Sequence, residues 1–140
     1  MKKNLLKLLL VASVAAPSIT FAQEKLMTIV TSEDSMTQLM AMVLSTQAQK
    51  QGAEVEVLFC SKAADLVVKG TKEVTFKPKG MSPNKLLSGL IKSGAKVGVC
   101  PPYLPNNNKT TKDLIEGVEV VNPPMIAKKL ISPDVKILSY

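Results

Sequence analysis

Apolar positions along the chain switch between two periods. Residues 26–30, Leu-Met-Thr-Ile-Val, form a short apolar run that ends in the polar cluster Thr31-Ser32-Glu33-Asp34, which predicts a buried strand. Met36, Leu39, Met40, Val43 and Leu44 then recur at helical spacing up to Gly52, where a left-handed residue would stop the helix. From Glu54 to Phe59 apolar residues alternate with acids before Leu58, the pattern of a strand with one face less buried than the other. After Cys60 a short helical stretch, Ala63 to Lys69, ends at Gly70, and residues 71–80 make a lysine-rich connection. Ser82-Pro83 is a helix start, a capping hydroxyl followed by proline at the first helical position, and Leu86, Leu87, Leu90 and Ile91 supply the buried stripe before Gly94. Lys96 to Val99 is a third strand, broken after Cys100 by Pro101-Pro102, and a loop runs on through Tyr103 and Asn106 to Asn108.

The last third repeats the theme in shorter elements. Thr110 or Thr111 caps a short helix through Leu114 and Ile115, Gly117 ends it, and Val118 to Val121 is a fourth strand. Pro123-Pro124 opens a helix with Met125, Ile126 and Leu130, and Pro133 closes it before the final strand, Val135 to Leu138. Five alternations of strand and helix predict one α/β domain of three layers, α/β/α, around a mostly parallel five-stranded sheet with helices on both faces.

The first 22 residues follow a different logic. Lys2, Lys3 and Lys7 form a basic start, Leu8 to Ala16 an apolar stretch, and Thr20-Phe21-Ala22 places small residues where a signal peptidase reads them. The segment is expected to be a cleaved signal peptide, residues 1–22, with the mature chain at 23–140 in the periplasm or outside the cell. The apolar stretch is shorter than the roughly 20 residues a spanning helix needs, so no membrane anchor is expected after cleavage.

Charge and composition narrow the function classes. The formal charge of +7 falls to +4 once the three leader lysines are gone, fifteen lysines against eleven acids. Every basic residue is lysine and aromatics are 4% of the chain, so the bidentate forks and stacking platforms of nucleic-acid binding are missing. Histidine is absent, which excludes a Ser-His-Asp triad, a Cys-His pair and every histidine metal site, and Ser82 and Ser88 have no base to activate them. Met36, Met40 and Met42, with Met27, are read as core packing rather than a thioether copper site, and Glu33 and Asp34 as the acidic start of a helix. No metal or cofactor is expected.

What remains are Cys60 and Cys100, each at the carboxyl end of a strand, where ligands of parallel sheets gather. The same edge carries Ser32, Lys62 and Tyr103, the candidate pocket residues. Two cysteines of an exported domain tend to pair. Here pairing turns on strand order: neighbouring strands lie about 4.8 Å apart, within reach of a disulfide, while strands with one between them do not.

The order of elements, the Thr31 to Asp34 turn into a helix ending at Gly52, the strand Val55 to Phe59, and Val97-Gly98-Val99-Cys100 followed by a helix and Gly117-Val118 resemble the DsrE/DsrF-like family over essentially all of 23–140. Many of its members are sulfur-relay proteins in which a cysteine at this place holds sulfane sulfur as a persulfide. The resemblance implies that Cys100 is the catalytic position and that the chain forms a homo-oligomer meeting a sulfur donor or acceptor protein; Cys60, at the same sheet edge, is the candidate resolving or disulfide partner. Sulfur transfer between thiolates needs no metal, histidine or nucleotide. A second class stays open beside it: a non-catalytic binding or assembly module of the same fold with the two cysteines structural or a redox pair.

Overall fold

The computed structural model describes residues 23–140; the expected signal peptide lies outside them. Five strands, β1 (Lys25–Val30), β2 (Glu54–Phe59), β3 (Lys96–Val99), β4 (Val118–Val120) and β5 (Val135–Ser139), alternate with four α-helices, α1 (Ser35–Lys50), α2 (Pro83–Lys92), α3 (Tyr103–Asn106) and α4 (Pro123–Leu130). Two 3-10 turns, Ser61–Val67 and Thr111–Asp113, complete the connections. The strands are parallel throughout, in the order β4-β3-β2-β1-β5. The expected α/β domain with a five-stranded parallel sheet is what forms.

Strand order explains how the layers are loaded. The first three crossovers all step in one direction, from β1 to β4, and right-handed crossovers that step one way stack their helices on one face. The fourth returns across the sheet to β5 and puts α4 alone on the other. The core is divided accordingly. On the crowded face Val30, Val57, Phe59 and Val99 meet Met42, Leu87 and Leu90; on the other a small cluster of Met27 and Leu58 meets Ile126 of α4. The three expected layers are therefore unequal, and Met125, Ile131 and Ile137 remain exposed around α4 and β5.

The helix caps are chemical. The Thr37 amide donates to Asp34 Oδ1 at 2.8 Å, holding that carboxyl below its usual pKa, and the Met125 amide donates to Asn122 Oδ1 at 3.4 Å. At α2 the Lys85 amide donates to Ser82 Oγ at 3.1 Å, while the same hydroxyl donates to Glu73 Oε1 at 2.5 Å, and Ser82 is fully buried. Replacing Ser82 by Ala removes the cap and one of the two partners of the Glu73 carboxylate, Lys85 Nζ at 3.4 Å remaining, with an expected cost of about 1–2 kcal/mol. Urea denaturation checks this; an unchanged midpoint would show that the cap contributes nothing.

The buried face of α1 differs from the expected one. Met36, Met40 and Leu44 are exposed, and Gln38, Leu39, Ala41, Met42 and Ser45 are the buried residues. Gln38 and Ser45 are buried because each has a partner: Gln38 Nε2 donates to the Ser32 carbonyl at 2.9 Å, and Ser45 Oγ shares a hydrogen bond with Thr28 Oγ1 of β1 at 2.8 Å. Met27 and Met42 lie in cores on opposite faces of the sheet, so the four methionines do not gather.

Candidate functional site

Cys60 follows β2 directly and Cys100 follows β3, and these strands are neighbours with Phe59 paired to Val99. The register places the two cysteines side by side, the Cys100 amide donating to the Phe59 carbonyl at 2.9 Å and the Cys60 amide to the Val30 carbonyl at 3.0 Å. Their Cα atoms are 5.1 Å apart and their sulfurs are joined as a disulfide. That separation falls within the range such a bond spans. The strand order left open by the sequence is thus the one that permits pairing.

Alternation along the strands decides which face the sulfurs occupy. Val57, Phe59, Val97 and Val99 point into the crowded core, so Leu58, Cys60, Gly98 and Cys100 point to the α4 face. There the bond packs in the cluster of Met27, Leu58 and Ile126, with Ile29, Val121 and Val135 at its border, and both cysteines are half-buried. Val121 closes over Gly98: a Cβ at Gly98 would overlap Val121 Cγ1, so only glycine lets β4 and its following loop sit this close.

The edge has one topological break. The chain leaves β3 toward the crowded face and leaves β4 toward the α4 face, so the carboxyl ends of these two strands are the point where the connections diverge. Cys100 ends the first of them; Cys60 is one strand further in, between β1 and β3. The turns after both cysteines are constrained. Ser61 is held at φ 54°, the left-handed region that costs a serine strain, and Cys100 is followed by Pro101 and Pro102, with its carbonyl accepting the Tyr103 amide at 3.1 Å.

The three candidate pocket residues do not converge on the sulfurs. Tyr103 is buried in the core of the crowded face, on the other side of the sheet, where its hydroxyl donates to Asp65 Oδ1. Burial first, and the Asp65 carboxylate second, push its phenol far above the ordinary range, so it stays protonated. It fastens the turn after Cys100 to the turn after Cys60. Lys62 is exposed and, with Glu33, Gln38 and Asp65, lines a cleft of about 190 Å³ beside α1. Ser32 Oγ accepts the Asp34 amide at 3.2 Å as part of the turn into α1.

Nor does the main group of charges reach the disulfide. A cavity of about 330 Å³ on the α4 face, floored by Met27 and Val135, is walled by the pairs Lys96–Glu54 and Lys129–Glu56, at 2.5 and 2.6 Å. These pairs stand at the amino ends of β2 and β3. The hydrogen bond from Lys96 holds the Glu54 carboxyl below its usual pKa and raises that of Lys96. Mutual pairing leaves neither lysine free to lower a thiol pKa at the opposite edge. The sequence pattern missed this group because its members come from alternate positions of three elements.

No family model matches the chain, and no curated protein matches it in sequence. Solved structures do. The chain is similar to the ychN protein from E. coli, with a TM-score of 0.69 and 19% identity over 85% of this chain and all of that one. MTH1491 from Methanobacterium thermoautotrophicum follows at 0.62 and 17%, over 85% of this chain and all of that one, and BT1422 from Bacteroides thetaiotaomicron at 0.59 and 16%, over 84% and 95%. Both of the latter are described as proteins of unknown function. At such identities the likeness concerns the fold.

Proposed function

We propose that this chain is an exported thiol protein of the DsrE/DsrF-like, sulfur-relay type that carries sulfane sulfur as a persulfide on Cys100, with Cys60 as its resolving partner. One observation carries the reading: the two cysteines sit side by side at the carboxyl ends of adjacent strands, and Cys100 ends the strand at which the connections diverge. In the reduced pair the Cys100 thiolate attacks the outer sulfur of a persulfide or polysulfide, R–S–S⁻. A bond forms between Cys100 Sγ and that sulfur, the donor bond breaks, and R–S⁻ leaves, with no net oxidation. An acceptor thiolate then takes the outer sulfur and returns Cys100 to a thiolate. If Cys60 attacks Cys100 Sγ instead, hydrosulfide leaves and the disulfide closes: the carried sulfur is reduced by two electrons and the pair oxidised by two.

The test is intact mass spectrometry of the reduced protein after exposure to polysulfide and removal of excess. Cys60→Ser, which cannot resolve the persulfide, should gain one sulfur atom, Cys100→Ser should gain none, and wild type should hold the sulfur or close its disulfide with the loss of two hydrogens. Equal uptake by Cys100→Ser, or none by Cys60→Ser, leaves the alternative of a non-catalytic module whose disulfide is a staple.

Export fits a chain with a closed cysteine pair, since such bonds persist in oxidising compartments. Sequencing of exported material should read Gln23 first; an intact Met1 on most of it would refute cleavage after Ala22. We read the thinly covered α4 face, with Met125, Ile131 and Ile137 exposed, as the seat of a second copy of this chain, because one eight-residue helix is all that the crossovers place there. Sedimentation at micromolar concentration should show a dimer or larger that Ile131→Glu dissociates, and a monomeric wild type would contradict this.

A further inference from the structure

The disulfide and one side-chain hydrogen bond fasten the same two turns from opposite faces of the sheet. Ladder pairing of β2 with β3 ends at the Cys100 amide, which donates to the Phe59 carbonyl at 2.9 Å. Beyond it the two chains leave abruptly, through Ser61 at φ 54° after β2 and through Pro101-Pro102 after β3. On the α4 face the Cys60–Cys100 bond joins the two departures. On the crowded face Tyr103 Oη donates to Asp65 Oδ1, the one hydrogen bond among the described residues that links Ser61–Val67 to residues 101–106.

Both ends of that bond are stiffly connected to a cysteine. The Tyr103 amide donates to the Cys100 carbonyl at 3.1 Å, and the Tyr103 carbonyl accepts the Asn107 amide at 3.2 Å and Asn107 Nδ2 at 2.7 Å. Cys60 is the N-cap of the 3-10 turn that carries Asp65, and the Asp65 carbonyl accepts the Val68 amide at 3.2 Å and Thr71 Oγ1 at 2.5 Å. Burial and the Asp65 carboxylate hold the phenol above its ordinary range, so it remains a donor where a thiol ionises, at about pH 8.5. Asp65 is exposed and takes water when the hydroxyl is removed, so Tyr103→Phe deletes the tie, keeps the buried ring and leaves no orphaned group in the core.

From this geometry we infer that Tyr103 is a positioning residue for the cysteine pair: through Asp65 it keeps the two thiols at bonding distance once the disulfide is open, and so favours closure. The inference rests on the reading of Cys60 as the resolving partner and adds the group that readies it. The reason is entropic. Reduction removes the covalent tie between the turns, and the freedom they gain is given up again whenever Cys60 attacks Cys100 Sγ. A hydrogen bond that limits this freedom raises the effective concentration of one sulfur at the other. The coupling is reciprocal, so the closed disulfide strengthens the Tyr103–Asp65 bond by the same factor. A hydrogen bond that stabilised both forms equally would leave the thiol–disulfide equilibrium unmoved, which separates positioning from plain stabilisation.

The experiment equilibrates the protein with mixtures of reduced and oxidised glutathione, traps the thiols, and quantifies open and closed forms by mass. On closing, the pair gives up two electrons and two protons to oxidised glutathione. Tyr103→Phe and Asp65→Ala should each lower the closing constant about three- to tenfold, the scale of one hydrogen bond. Asp65→Asn, which retains an acceptor oxygen, should stay near wild type, and Tyr103→Phe combined with Asp65→Ala should shift no further than either alone. An unchanged constant in Tyr103→Phe, even beside a lowered urea midpoint, would overturn the inference, as would fully additive shifts in the double variant. Polysulfide loading of Cys60→Ser involves no closure. Normal loading beside an unchanged constant strikes the positioning role alone, and absent loading beside a shifted constant strikes the persulfide reading alone.

Discussion

Opening the Cys60–Cys100 bond is expected to lower the stability of the domain by up to about 4 kcal/mol, the chain-entropy value for a loop of this length. The bond closes residues 40 apart in sequence and ties the ends of two central strands. Domains of this size are stable by only about 5–15 kcal/mol in all, so the pair carries a large share of the margin. The larger core, on the opposite face, does not contain it, which is why the reduced protein should still fold. Urea titrations with and without reductant, and of Cys60→Ser, measure the effect. Coincident midpoints would mean that the closed loop adds nothing, and complete unfolding on reduction would remove the folded thiol form that sulfur transfer uses.

Gly98 should be the least tolerant position of the third strand. It points to the α4 face beside the disulfide, and its missing Cβ is the space that Val121 Cγ1 occupies. Gly98→Val is expected to cost about 3 kcal/mol or more, since neither the strand backbone nor the β-branched Val121 can yield easily, and Gly98→Ala about 1–3 kcal/mol. The cause can be separated from lost backbone freedom by a double-mutant cycle. Val121→Ala alone costs stability by removing packing, but combined with Gly98→Ala it clears the overlap, so the double variant should be more stable than the sum of the single losses predicts. Strict additivity would show that Val121 is not what excludes a side chain at Gly98.

Much of this architecture could be read from the chain because local and tertiary preferences agree. Leu26 to Val30 is apolar in a strand covered on both faces, and Ser82 and Gly94 bracket α2 with a cap and a left-handed stop at φ +90°. The misread elements are those where a partner overrides polarity. Gln38 and Ser45 look like surface residues, yet the Ser32 carbonyl and Thr28 satisfy them, while Met36 and Met40, apolar and correctly spaced, turn away from the sheet. The single turn of α3 was hidden behind Pro101-Pro102, which reads as a break. Both cysteines were placed at the correct edge, because a strand-ending residue is a local feature. Their pairing was not legible, since strand order is set by the direction of each crossover and no periodicity records that. For the same reason Tyr103, next but two to Cys100 in sequence, ends on the opposite face of the sheet.

The central claim is that sulfur held on Cys100 can be passed on, and one measurement addresses it directly. The reduced protein is charged with isotopically labelled polysulfide, freed of excess, and presented with a small acceptor thiol, and label is followed on the protein and on the acceptor. The account predicts label on Cys60→Ser, which cannot discharge it internally, in one-to-one amount, none on Cys100→Ser, and complete transfer to the acceptor with the Cys100 thiol regenerated. Label that stays on the protein after the acceptor is added, or that loads equally when Cys100 is serine, would contradict it.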